Sequence, residues 1–134
     1  YLRGIIKRKF FQKRKILKKM EESGFHMLLY KNRVVITGGT GRFAKSLKKI
    51  KTRYNVYFPS KTQLNIQKEK SILRFLKKKK PKYLIHLAGL SRPMSIHDKD
   101  IAKSINLNII GTANIVKMCE KMKVKLIYFS SSYV

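Results

Sequence analysis

This 134-residue chain has one cysteine, three prolines, no tryptophan and only six acidic residues. A single cysteine, Cys119, excludes an intrachain disulfide and any zinc cluster built on thiolates. Its neighbours Val116 and Met118 put it on the inner side of a helix, where a thiol is expected to be buried and inert. Three scattered histidines suggest no metal site, and none is expected. No uncharged apolar run approaches the ~18–20 residues needed to cross a bilayer, so no membrane span is expected and the chain reads as soluble and cytoplasmic.

The shortage of acid leaves 33 Lys+Arg against 6 Asp+Glu, a formal charge of +27. Such a balance raises a polyanion-binding module as one reading. The excess is spread along the chain, however, and lysine dominates without the aromatic and arginine interleaving of a single-strand platform. Solvated lysine-rich helix faces account for it better, and no specific nucleic-acid partner is expected.

The length suits one domain. The chain starts at Tyr1 and stops at Ser130-Ser131-Ser132-Tyr133-Val134, directly after an apolar run, so a piece of a longer protein is expected. Residues 1–28 form a basic extension in which Ile6, Phe10, Leu17 and Met20 recur at helical spacing. From residue 29 strand-like and helix-like blocks alternate. Strands are expected over 33–37, 55–58, 83–87 and 125–129. Helices are expected after Arg42, with Phe43, Leu47 and Ile50 on one face, and over 67–80, where Ile72, Phe75 and Leu76 pack inward. The run Lys77–Lys80 at that helix's end complements the helix dipole. A long helix is expected over 99–122, with Ile101, Ile105, Ile109, Thr112, Val116 and Cys119 along one side. Apolar strands separated by helices of this length imply a Rossmann-type, doubly wound α/β fold, its parallel sheet covered on both faces.

The first strand runs into Thr37-Gly38-Gly39-Thr40-Gly41-Arg42-Phe43-Ala44. Gly38 and Gly41 supply φ > 0 and room for a phosphate, and the small Ala44 lets the following helix lie close to the strand. By itself the pattern also fits a tight turn that binds nothing. Ligands in such sheets gather at strand C-termini, where Thr37, Gly38, Ala88, Gly89 and Ser130 to Ser132 are expected. His86, within an apolar strand, reads as a packed residue or as a contact near the cofactor edge.

Four segments resemble, in order, the extended short-chain dehydrogenase/reductases that act on nucleotide sugars. The glycine turn resembles their cofactor turn. His86-Leu87-Ala88-Gly89 resembles the strand segment lining the cofactor's ribose and nicotinamide side. Asn108-Ile109-Ile110-Gly111-Thr112 resembles the family's Asn-Val-x-Gly-Thr element, and Phe129-Ser130-Ser131-Ser132-Tyr133-Val134 the strand with the catalytic serine or threonine. Ser60-Lys61-Thr62-Gln63-Leu64-Asn65-Ile66 and the closing Ser-Tyr-Val are similar to the dTDP-4-dehydrorhamnose reductase branch, with Asn65 where that branch has aspartate.

The resemblance implies a nucleotide-sugar oxidoreductase, epimerase or dehydratase. It assigns cofactor contacts to Gly38, Thr40, Gly41, Arg42, Phe43, Ser60, Lys61, Asn65, Leu87, Ala88, Gly89 and Asn108, and the catalytic hydroxyl to Ser131 or Ser132. No acid follows the second strand, so NADP is favoured over NAD, with Ser60 and Lys61 as phosphate contacts. The family's Tyr-x-x-x-Lys acid/base pair is expected beyond Val134, since Tyr57 to Lys61 contains Pro59 and sits at a strand end. The substrate would bind through the part that is absent, a homodimer is a candidate assembly, and a non-catalytic NADP-binding regulator of the same fold is the alternative.

Overall fold

Strand β1 (Arg33–Ile36) forms where three consecutive β-branched residues favour the extended backbone. The computed structural model describes residues 32–129 apart from 92 and 94. It divides the chain into two units, Tyr1–Asn32 and Arg33–Val134. The expected basic helix and both candidate catalytic serines lie outside the described residues.

After β1 come α1 (Arg42–Leu47), β2 (Asn55–Tyr57), α2 (Glu69–Lys79), β3 (Tyr83–His86), α3 (Ser95–Lys99), α4 (Ile101–Ile105), a π-helical turn (Asn106–Ile110), α5 (Gly111–Lys121) and β4 (Lys125–Tyr128). All strand pairs are parallel, in the order β2-β1-β3-β4. Val34 stands opposite Val56 on one side and Tyr83 on the other, and Ile85 stands opposite Ile127. From β1 the chain goes first to one neighbour and then to the other. The C-terminal ends of β1 and β3 therefore border the switch point of an α/β sheet, where ligands bind.

Strand alternation sends Val35 and Leu84 to one face, where they join Ile72 and Leu76 of α2 and Ile115, Met118 and Cys119 of α5 in the core. Helix α2 begins with Glu69 and ends in Lys77, Lys78 and Lys79, matching its dipole, and Lys80 closes it in the left-handed conformation at φ 46°. Pro81 prevents continuation. The other face carries a cavity of about 690 Å³ lined by Val34, Ile36, Val56, Ile85 and Ile127, with Leu47, Ile50 and Phe58 among its further walls.

Two expected helix faces differ in the structure. Phe43 is 52% exposed and Ile50 61%; α1 has only six residues, so Ile50 falls past its end while Ala44 takes the buried position. The long helix expected over 99–122 is instead divided at Asp100, whose side chain caps α4 by accepting from the Lys103 N–H. The π turn then breaks the regular α-helical phase. Ile101, Ile105, Ile109 and Val116 face out, and α5 buries Gly111, Asn114, Ile115, Met118 and Cys119. Gly111 lets α5 lie close to Ile66, since a Cβ would stand 2.7 Å from its Cδ1 and the side chain would have to shift. Asn114 Nδ2 donates to the Ile66 carbonyl at 3.0 Å, tying α5 to the segment after β2. At β4, Ile127 and Tyr128 are exposed.

Candidate functional site

Where β1 ends, Thr37 N–H still bonds to the Ile85 carbonyl, at 3.0 Å. Gly38 then turns the chain at φ +71°, and a Cβ there would lie 2.9 Å from Ala88 N, against backbone that cannot swing away. Glycine thus permits both the left-handed turn and the close approach of the two strand ends. Gly41 N–H donates to the Gly38 carbonyl at 2.9 Å, closing the turn. Gly41, expected at positive φ, is instead extended at φ −70°; it is the N-cap of α1 and offers no side-chain acceptor, so the helix's first amides lack an internal partner.

These walls enclose a cavity of about 260 Å³. Gly38, Gly39, Thr40 and Gly41 form one side and Leu87, Ala88 and Gly89 another; Pro59, Lys61, Leu64, Asn65 and Ile66 come from the segment after β2, and Leu107 from the π turn. Eight of the expected cofactor contacts therefore meet around one space: Gly38, Thr40, Gly41, Lys61, Asn65, Leu87, Ala88 and Gly89.

Arg42, Phe43, Ser60 and Asn108 do not line it. Phe43 makes an edge-to-face contact with Phe129 at 5.8 Å. Ser60 serves a local turn: its N–H donates to Gln63 Oε1 at 2.9 Å and its hydroxyl pairs with Thr62 at 2.8 Å. Asn108 accepts from Leu90 N–H at 2.7 Å and donates to the Leu90 carbonyl at 2.9 Å, anchoring the chain just beyond Gly89. Asn65 Oδ1 accepts from Gln67 N–H at 3.0 Å, an Asx turn that sets its carboxamide at the cavity edge. Tyr57 lies outside the cavity, with Lys79 Nζ 4.3 Å from its ring centre and its hydroxyl bonded by Asn55 Nδ2 at 3.2 Å, whereas Lys61 lines the cavity. The two do not act as a pair.

One polar cluster crosses the strand ends. Thr37 Oγ1 lies 2.7 Å from His86 Nδ1 and 3.1 Å from both Leu87 N and Ala88 N, and His86 Nε2 lies 3.1 Å from Thr112 Oγ1. Tyr128 stacks on the imidazole at 5.8 Å. Burial lowers the His86 pKa to about 4, keeping the ring neutral, and raises the Cys119 thiol to about 11. Thr37, His86 and Thr112 each fall in one of the family-like segments, but only His86, a polar residue within an apolar strand, stands out by itself, and nothing in the sequence joins the three. Leu107 gives no signal, because its place depends on the π turn. Among the described residues no group of three His, Cys, Asp or Glu side chains is placed to hold a metal, and no helix is long and apolar enough to cross a membrane.

The protein family described as RmlD substrate binding domain matches residues 32–134. Among solved structures, the dTDP-4-dehydrorhamnose reductase from Bacillus anthracis str. Ames, in complex with NADP, is similar at 27% identity and a TM-score of 0.72, over 77% of this chain and 37% of that one. The Yersinia enterocolitica dTDP-4-dehydrorhamnose reductase gives 27% identity and a TM-score of 0.64, over 75% and 36%. GDP-mannoheptose C4 reductase from Campylobacter jejuni, with NADP bound, shares the fold at 22% identity and a TM-score of 0.66, over 76% and 31%. The chain spans well under half the length of each. No curated protein matches its sequence.

Proposed function

The chain belongs to the RmlD substrate binding domain family, and on that premise we propose that it supplies the dinucleotide-holding part of an NADP-dependent nucleotide-sugar reductase. The observation that carries the reading is the glycine-walled cavity at the switch point, between the ends of β1 and β3. Its walls suit a dinucleotide: a Cβ at Gly38 would fill the turn, and the unpaired first amides of α1 suit a pyrophosphate. Lys61 lines the same cavity and no acid follows β2. An acid there would hold a ribose 2′-hydroxyl, while a cation accommodates the 2′-phosphate of NADP. The NADP in the Bacillus anthracis reductase supports the same choice.

A nicotinamide cofactor held here would supply the hydride that reduces a sugar carbon. The residues of this chain bind and orient: the Gly38–Gly41 turn faces the phosphates, Lys61 and Asn65 the adenosine end, and Leu87 to Gly89 the opposite wall. The hydroxyl that bonds the reacting oxygen is assigned to Ser131, with Ser132 as the alternative, on the resemblance of the segment after Phe129. A proton donor is needed in addition, and Tyr57 is not placed to be one.

Titration of the full-length protein with NADPH and NADH tests this reading. NADPH should bind tighter, and Lys61→Ala should reduce that preference by roughly three- to tenfold, as expected for one solvent-reached charge contact. NADH bound as tightly as NADPH, with no change in Lys61→Ala, would overturn the cofactor assignment.

A further inference from the structure

The hydrogen-bond count at Thr37 fixes the protonation of His86. A threonine hydroxyl has one proton to give and two lone pairs to accept with. Leu87 N–H and Ala88 N–H can only donate, and both point at Thr37 Oγ1 from 3.1 Å. They occupy both lone pairs, so the hydroxyl proton goes to the third neighbour, His86 Nδ1, at 2.7 Å. Nδ1 must then be bare. A neutral ring carries its proton on Nε2, which donates to Thr112 Oγ1 at 3.1 Å. Thr37 and His86 are each only 1% exposed, so water cannot substitute for a lost partner. With a proton on Nδ1, three donors would crowd one oxygen and the hydroxyl proton would have no acceptor.

We propose that neutral, Nε2-protonated His86 is a positioning residue for the dinucleotide cavity, orienting the Thr37 hydroxyl so that it holds the Leu87 and Ala88 amides. The role rests on the dinucleotide reading above. Thr37 precedes Gly38 and the two amides belong to the facing wall, so this one oxygen sets the separation of the walls. Thr112 and the stacked Tyr128 ring hold the imidazole in place from α5 and β4. His86 itself does not line the cavity and acts through Thr37.

Long-range proton–nitrogen NMR of the full-length protein, labelled at histidine, reads the tautomer directly. His86 should show an unprotonated Nδ1 and a protonated Nε2, and a protonated Nδ1 would overturn the proposal. NADPH affinity and amide exchange at Leu87 and Ala88 then separate two variants. In His86→Asn, Oδ1 stands where Nδ1 stood and accepts the Thr37 proton, so affinity and exchange should stay within about threefold of wild type. His86→Leu keeps bulk without an acceptor; it should weaken NADPH about tenfold and speed exchange at those two amides while Leu84 and Ile85 remain protected. Equal behaviour of the Leu and Asn variants would overturn the proposal, as would protection lost throughout β3 in His86→Leu. A wild type that binds no dinucleotide would overturn the functional reading, whereas binding by a protein whose Nδ1 carries the proton would overturn this role alone.

Discussion

Two cavities border the same sheet, and the larger is not the one with the chemistry. The space of about 690 Å³ has walls such as Val34, Ile36, Val56 and Ile85, which strand alternation alone puts on one face. Its lining is mostly apolar. The space of about 260 Å³ lies where alternation stops, at glycines that let two backbones converge, with a lysine and an asparagine at its edge. An apolar pocket of the larger size is the usual first candidate for a ligand site. Here the smaller one is preferred, because it has directed N–H groups, room that a single Cβ would fill, and a position at the switch point. Substitutions in the first should change stability, and substitutions in the second should change binding.

The largest effect is expected at the polar cluster beside the small cavity. His86 has a folded pKa of about 4 against its ordinary value of 6.5. As pH falls below 6.5 the unfolded chain takes up a proton that the folded chain refuses, so this contribution is complete above 6.5 and lost progressively towards pH 4. The loss amounts to about 3 kcal/mol. Urea unfolding across pH 4–7 should show that decline in wild type and a shallower one in His86→Asn; parallel curves would contradict the assignment.

Val34→Ala, in the wall of the large cavity, should cost about 1–2 kcal/mol of unfolding free energy and leave NADPH affinity within about twofold. A loss of affinity there would erase the distinction between the two spaces. Asn108→Ala should do the reverse. It leaves the Leu90 N–H and carbonyl without their partner, and the loosened wall should weaken NADPH by about five- to tenfold, with a stability change of about 1 kcal/mol. Calorimetric titration paired with thermal unfolding measures both quantities on each variant.

Much of this division was legible in the sequence. The four strands, α2 and the glycine turn follow from local signals: β-branched runs, apolar spacing, lysines before Pro81, and glycines ahead of a small alanine. Eight of the residues singled out for the cofactor meet around one cavity for the same reason, since strand ends and their following turns are adjacent in any parallel sheet of this kind. What was not legible depends on orientation and distance. The stripe from Ile101 to Val116 has helical spacing, yet Ile101, Ile105, Ile109 and Val116 face out while Gly111, Asn114, Ile115 and Met118 are buried, because periodicity reports an amphipathic helix and not which of its faces meets the core. Asn108 lies within the π turn at Asn106–Ile110 and meets Leu90, not the cavity. Thr37 and His86 are 49 positions apart, and no local pattern announces that a threonine and a histidine will share a proton.

The most direct measurement sets the two cavities against each other with one ligand: NADPH titrated into the full-length protein as wild type, Gly38→Ala and Val34→Ala. At Gly38 the added methyl meets Ala88 backbone at 2.9 Å and a left-handed φ of +71°, strain of about 1–3 kcal/mol. The expected result is saturable binding by wild type, retained in Val34→Ala and weakened at least about tenfold in Gly38→Ala. Equal affinity in Gly38→Ala and wild type, or loss confined to Val34→Ala, would contradict the assignment of the small cavity as the dinucleotide site.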